Sequence, residues 1–274
     1  MRGDGGFALV SVLWIVALLG LAALAAATQA RRGVDEARRV QSLAEARAAA
    51  DAGAARAAFA LLLADAGLAE PPSTDGSPFE SGEAEVAITD QGGLVDLNAA
   101  EPETLAVLFT ALGVEDTRAT ALADAVADWR DEDGFARLNG AEAPAYRRAG
   151  LGWRPRDGLF QTVEELKLVL GMDAGLFAAA APLVTVHGQR PEVDIAVAPE
   201  PVLLATQGGD SGRVGTILAL RAKRPRFAEP RTYGIRAVGR AADGTRFVRE
   251  QVVRITRDPA RPLQTFLWRQ GGGE

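Results

Sequence analysis

The feature that most limits what this chain can become is its opening helix. Residues Gly5 to Ala30 carry no charge, and they include the run Phe7-Ala8-Leu9-Val10-Ser11-Val12-Leu13-Trp14-Ile15-Val16-Ala17-Leu18-Leu19. About 20 apolar residues carry a helix across a bilayer, so the run is long enough to span. The pattern does not stop there. Ala37 to Ala66 is rich in Ala, Arg, Leu and Glu, and no proline occurs before Pro71. One helix from Phe7 to about Ala66 is therefore expected, apolar in its first half and amphipathic in its second. At 1.5 Å per residue it makes a rod of about 90 Å. An isolated globular domain has no use for such a rod; a filament has.

In the second half Leu43, Ala46, Ala50, Ala54, Ala57 and Leu61 recur every three or four residues, which places them on one face. Phe59, Leu62 and Leu63 widen that stripe where a globular domain could pack. Gly33 and Gly53 read as weak points, each costing about 1 kcal/mol relative to Ala. Gly67 ends the helix. Read alone, residues 7–30 also suit a secretory signal cut after Thr28-Gln29-Ala30, or a plain membrane anchor. Arg31, Arg32, Arg38 and Arg39 follow the span and only Arg2 precedes it. Counting positive charges would keep the C-terminal side in the cytoplasm, but long domains translocate largely regardless of them.

Beyond the rod, Glu70–Gly82 reads as loop, Ala84–Thr89 as a half-buried strand and Leu94–Leu97 as a second. Asn98 to Leu105 passes through a cap into helices over Glu103–Leu112 and Asp116–Asp128, with proline and acids in the first turn. The eleven residues Val193–Leu203 echo Val95–Leu105, which suggests one strand–loop–helix device used twice. Thr162 is placed to cap a helix ending at Gly171, with Leu166, Val169 and Leu170 as its stripe. A further helix starts at Leu176, and Pro182–Val186 leads into a strand. A helix near Gly212–Lys223 precedes strands Tyr233–Arg240 and Arg246–Thr256, joined by the turn Ala242-Asp243-Gly244. Leu263–Arg269 suits an edge strand, and Gly271–Glu274 a loose tail.

The net charge of −6 argues against a nucleic-acid surface, which wants a basic face. No cysteine means no disulfide and no thiol metal site. A single histidine, His187, leaves little room for histidine chemistry, and reads as a surface or strand-end residue. Gly209-Asp210-Ser211-Gly212 resembles a serine-protease nucleophile segment, but Arg213 follows and no triad is in view. Glu165–Asp173 resembles a helix–hairpin–helix unit, whose local charge here would repel phosphate. Trp129, Trp153, Phe135 and Phe160 read as core and loop anchors. The densest acidic cluster is Asp128-Trp129-Arg130-Asp131-Glu132-Asp133-Gly134, with Glu142 nearby. Carboxylates so close suit calcium, which takes six to eight oxygen ligands. The spacing is not that of an EF-hand.

A short polar leader ending in Gly6, followed at once by Phe7 and an apolar helix, resembles the prepilin signal of type IV pilins and type II secretion pseudopilins. Most members have Glu at the fifth mature position, where this chain has Ser11. That departure, the size, the repeated strand-to-helix segments and the Asp-Trp-x-Asp-x-Asp stretch together resemble the minor pseudopilin K (GspK) family. The resemblance implies cleavage between Gly6 and Phe7, N-methylation of Phe7, and calcium held by Asp131, Asp133 and Asp128 or Glu142. It implies an inner-membrane, single-pass protein with its bulk in the periplasm, sitting at the pseudopilus tip without catalytic activity. The implied partners are minor pseudopilins I and J, the major pseudopilin and the prepilin peptidase, and no nucleic acid. The expected fold is α+β: a long N-terminal transmembrane pilin helix on a small antiparallel sheet, with a large inserted all-α domain of SAM-like or helix-hairpin type. The expected divisions are a leader (1–6), the helix (7–66, spanning over 7–30), a first sheet part (67–97), the insertion (98–183) and a second core part (184–270). Outside that family, the sequence also suits a membrane-anchored periplasmic binding module or a DNA-uptake factor.

Overall fold

A computed structural model of the chain describes residues 5–221, 231–256 and 258–272. Helix α1 (Gly5–Asp65) is unbroken over 61 residues. It closes on Gly67, which takes φ +71 as its amide bonds Ala64 O, while Leu68 N bonds Leu63 O. These bonds satisfy carbonyls that the helix end leaves free. Residues 1–4 of the expected leader lie outside the described residues, whereas Gly6 and Phe7 fall within α1.

The burial of α1 divides it in two. From Val10 to Glu45 the described side chains are exposed, save Ser11 and Ser42, which are partly buried. From Ala46 onward one face is buried: Ala46, Ala49, Ala50, Ala54, Ala57, Ala58, Leu61 and Ala64. The stripe expected from spacing holds, except that Leu43 and Phe59 face outward.

That face lies on a five-stranded antiparallel sheet of order β1-β2-β5-β6-β7. The strands are β1 (Asp75–Ser81), β2 (Ala84–Asp90), β5 (Thr232–Arg240), β6 (Arg246–Ile255) and β7 (Leu263–Gln270). Alternate residues of β2 are buried, and Val86, Ile88, Ile235, Val253 and Ile255 meet Ala54, Ala57 and Leu61 in one apolar cluster. Helix and sheet come unusually close. A methyl group at Gly53 would stand 2.6 Å from Ala84 Cβ, and one at Gly239 would stand 2.0 Å from Ala46 O. Gly53 is therefore a point of close approach, not the mere weak point its helix propensity suggests.

The sequence reading of Glu70–Gly82 as loop is corrected by β1. Its Gly76 and Pro78 are poor strand formers, but β1 is an edge strand with a register shift between Asp75 and Pro78, where proline forfeits no ladder bond. Between the paired neighbours β2 and β5 the chain leaves the sheet and builds a helical body. At its root, β3 (Val95–Asp96) and β4 (Val184–Thr185) pair in parallel.

The helical body contains α2 (Pro102–Ala111), α3 (Asp116–Arg130), α4 (Ala143–Arg148), α5 (Ala174–Ala180), α6 (Glu200–Thr206) and α7 (Ser211–Arg221). The expected helix after Thr162 is a 3-10 helix, Val163–Leu168, and Thr162 makes no side-chain cap bond. One cluster of buried side chains runs from Leu94 through Phe109, Trp129 and Leu166 to Val202, Leu203 and Val214. The core thus includes α6 and α7, beyond the boundary expected at residue 183. The end of the helix expected to reach Lys223 lies outside the described residues.

The internal echo survives in its turns. Asp96 Oδ1 accepts from Asn98 N at 2.7 Å and Asp96 O from Ala100 N at 2.8 Å. Asp194 Oδ1 likewise accepts from Ala196 N at 3.0 Å and Asp194 O from Ala198 N at 3.0 Å. The strand half is not repeated, because Val193 and Asp194 belong to no strand.

Candidate metal centre and the helix that carries it

The acidic centre is built where α3 ends. Arg130 donates to Leu97 O and Ala100 O, both at 2.7 Å, which fixes the helix end against the turn after β3. Asp131 then leaves helical geometry with φ −80 and ψ 164, its amide still bonded to Ala127 O. The chain runs through residues 131–142 without helix or strand before α4.

Asp131, Asp133 and Glu142 each bring a carboxylate oxygen within 4.8 Å of the other two. Glu142 is buried, Asp131 half-buried and Asp133 exposed. Asp131 Oδ1 and Glu142 Oε1 are buried and have no hydrogen-bond partner among the described residues. Buried carboxylate oxygens left unpaired are costly. Burial first, and then the neighbouring Asp133, pushes the Asp131 carboxyl up from its ordinary range. Burial also raises Glu142, with Asp128, Asp157 and Asp131 adding repulsion. A hard cation would supply the missing partner and cancel the repulsion. The donor set, all oxygen and acidic, fits calcium. Asp157, held at φ 55 and paired with Arg154 at 3.8 Å, adds to the repulsion on Asp131 and Glu142 and is absent from the sequence-based set.

Asp128 is the exception among the four expected ligands. It is fully buried, but its oxygens turn to the loop: both accept from Arg137 N at 3.2 Å, and Oδ1 lies 3.6 Å from Arg137 Nε. Its role is to tie the acidic loop down onto α3. Sequence reasoning passed over Gly140, where a methyl group would stand 2.0 Å from Asp128 Oδ2. A side chain at that position would force the buried carboxylate to shift. Two of the expected aromatic anchors, Trp129 and Phe160, are buried and stack 5.9 Å apart. Phe135 corrects the expectation: it is 84% exposed, in the loop between Asp133 and Glu142.

The second functional element is α1 itself. Among the described residues it is the one helix long and apolar enough to cross a membrane. Ser11 lies in that stretch, partly buried.

A family model for type II secretion system (T2SS), protein K, matches residues 86–189. That segment starts in β2, takes in the root of the helical body and the acidic loop, and ends just after β4. Type II secretion system protein K of Klebsiella pneumoniae is 33% identical over 201 residues, covering 65% of this chain and 61% of that protein. Protein K of Dickeya chrysanthemi is 37% identical over 79 residues, 29% of this chain and 21% of that one. The chain spans less than two thirds of the length of these curated relatives. A chain from the crystal structure of the GspK-GspI-GspJ complex of the enterotoxigenic Escherichia coli type 2 secretion system superposes with TM-score 0.60 at 17% identity. The match covers 88% of this chain and 100% of that one. At that identity the likeness concerns the fold, a long helix on a sheet with a helical body. Residues 86–189, a little over a third of the chain, thus carry the domain that defines type II secretion system protein K.

Proposed function

We propose that the chain is a minor pseudopilin of the type II protein secretion system, seated at the tip of the pseudopilus, where it supports pseudopilus assembly and export of folded proteins. The observation that carries this reading is the division of α1. Its last third is locked to the sheet through Ala46, Ala50, Ala54, Ala57 and Leu61, while Val10 to Glu45 projects with its apolar side chains exposed. Such a helix can rest in a bilayer and later pack against like helices. In this reading the prepilin peptidase cuts between Gly6 and Phe7, Phe7 is methylated, and the chain sits in the inner membrane with its bulk in the periplasm.

Ser11 supports a terminal position. A carboxylate buried among apolar helices needs a partner charge, such as the amino terminus of the next subunit. Serine makes no such demand, and a subunit with none above it has no need of the pair. The helical body, inserted between β2 and β5, supplies bulk that would obstruct further addition. The partners are minor pseudopilins I and J, in keeping with the complex named above, and the major pseudopilin beneath. Its role is structural, with calcium at Asp131, Asp133 and Glu142 fixing the acidic loop.

Co-purification of the full chain with pseudopilins I and J from detergent-solubilised membranes tests this directly. A ternary complex with this chain supports it; recovery of I and J together without this chain overturns it. Ser11→Glu adds a second test: the tip reading expects altered tip-complex formation or membrane extraction, and unchanged behaviour in both would show that serine is merely tolerated there.

A further inference from the structure

The far side of the sheet from α1 faces the helical body across a cavity of about 390 Å³. This is within the usual range for ligand sites, roughly 300–1,000 Å³, which favour domain boundaries. Its walls are mainly apolar: Leu94, Pro182, Val184 and Val186 from the helical body, Val252 and Leu267 from the strands. One end is strapped by Arg269 of β7, whose guanidinium binds Glu164 and Glu250, each at 2.8 Å. Arg269 thus gives both acids on the wall a hydrogen-bonded partner, offsetting one of their two charges.

Arg236 is the guanidinium on this wall that no acid holds. It lies in the middle of β5, between Ile235 and Ala237, whose side chains are buried under α1, so strand alternation sends its own side chain to the cavity side. Glu250 stands directly across from it on β6, but that carboxylate is held by Arg269. Among the described residues the Arg236 guanidinium has neither ion-pair nor hydrogen-bond partner, although the residue is half-buried. A planar fork of donors in an apolar chamber matches a carboxylate.

We propose that this cavity is a binding site for a carboxylate carried on a short apolar stem, with Arg236 receiving the carboxylate and the Val252–Leu267 wall receiving the stem. The chemistry is shared by the free chain end of a polypeptide and by a small branched acid. The proposal is independent of the pseudopilus role.

Calorimetric titration of the full chain in nonionic detergent provides the test, with three probes: N-acetyl-Ala-Val-Leu, its C-terminal amide, and 4-methylpentanoate. Saturable one-to-one binding of the peptide acid is expected, with the amide at least about tenfold weaker, the loss of one charge-assisted pair. Arg236→Gln should weaken the acid by a similar factor. Leu267→Trp, which fills the chamber and keeps the arginine, should also abolish binding. Melting curves of both variants establish that they fold. Equal binding of both acids assigns a small-acid site, and binding of the peptide alone assigns a chain-end site. No binding of either acid, an amide that binds as tightly as its acid, or indifference to Arg236→Gln overturns the proposal.

Discussion

Two glycines in the same helix should respond oppositely to the same substitution. Gly33 and Gly53 both lie inside α1, where alanine is better than glycine by about 1 kcal/mol. At Gly33 an added methyl group meets nothing within 4 Å. Gly33→Ala should therefore gain most of that amount locally, slowing amide exchange around residue 33 by about fivefold. At Gly53 the same methyl would stand 2.6 Å from Ala84 Cβ and 3.2 Å from Val86 Cγ2. Ala84 Cβ is fixed to the backbone of β2 and cannot rotate away. The helix must lift, loosening Ala50, Ala54 and Ala57 over the sheet. Overpacking costs about 1–3 kcal/mol, and a 2.6 Å clash with a Cβ that cannot rotate belongs in the upper part of that range, above the propensity gain. A net loss of about 1–2 kcal/mol would lower the melting temperature by about 2–8 °C for a body of this size. Thermal melts followed by near-UV circular dichroism, with exchange mass spectrometry on α1, measure both effects on the full chain in nonionic detergent. A Gly53→Ala protein that melts at or above the parent temperature would refute the close helix–sheet contact.

Calcium should raise the melting temperature of the full chain, by an amount equivalent to about 2.7 kcal/mol when present at a hundred times its dissociation constant. Asp131→Asn and Glu142→Gln should remove the effect, as scanning calorimetry with calcium and with chelator would show. The raised carboxyls of Asp131 and Glu142 hold protons in the folded state that the unfolded chain has released. In calcium-free buffer, stability should therefore fall as pH rises from the ordinary carboxylate range through those raised values. Urea melts across that range would check the sign, and Glu142→Gln should flatten the slope. Asn98 clasps Phe160, accepting from its amide at 2.7 Å and donating to its carbonyl at 2.9 Å. Asn98→Ala strands both groups and should cost about 2–3 kcal/mol in urea denaturation.

What the sequence revealed and what it hid follow from the range of the forces involved. α1 was legible because its apolar and alanine spacing is a local property, and so was the β5–β6 hairpin with its turn at Asp243 and Gly244. β1 was not, since Gly76 and Pro78 acquire their strand geometry only from the neighbouring β2. The segment after Thr162 has helical spacing, yet it winds as a 3-10 turn before Gly171 at φ +93. In the acidic centre the number of carboxylates was readable, but not their directions. Asp128 lies one turn before Asp131 and points inward, where the chain at Gly140 crosses over it, a contact between residues 12 apart in sequence. Phe135 looks like any core aromatic until the loop is seen to carry it outward.

The most direct measurement is the mass of the mature amino terminus, taken on protein recovered from membranes of cells that contain an active prepilin peptidase. A chain that begins at Phe7 with a methylated amine is the expected result. A chain that still carries Met1 to Gly6, or one cut after Ala30, would contradict the assignment of α1 as a pseudopilin helix.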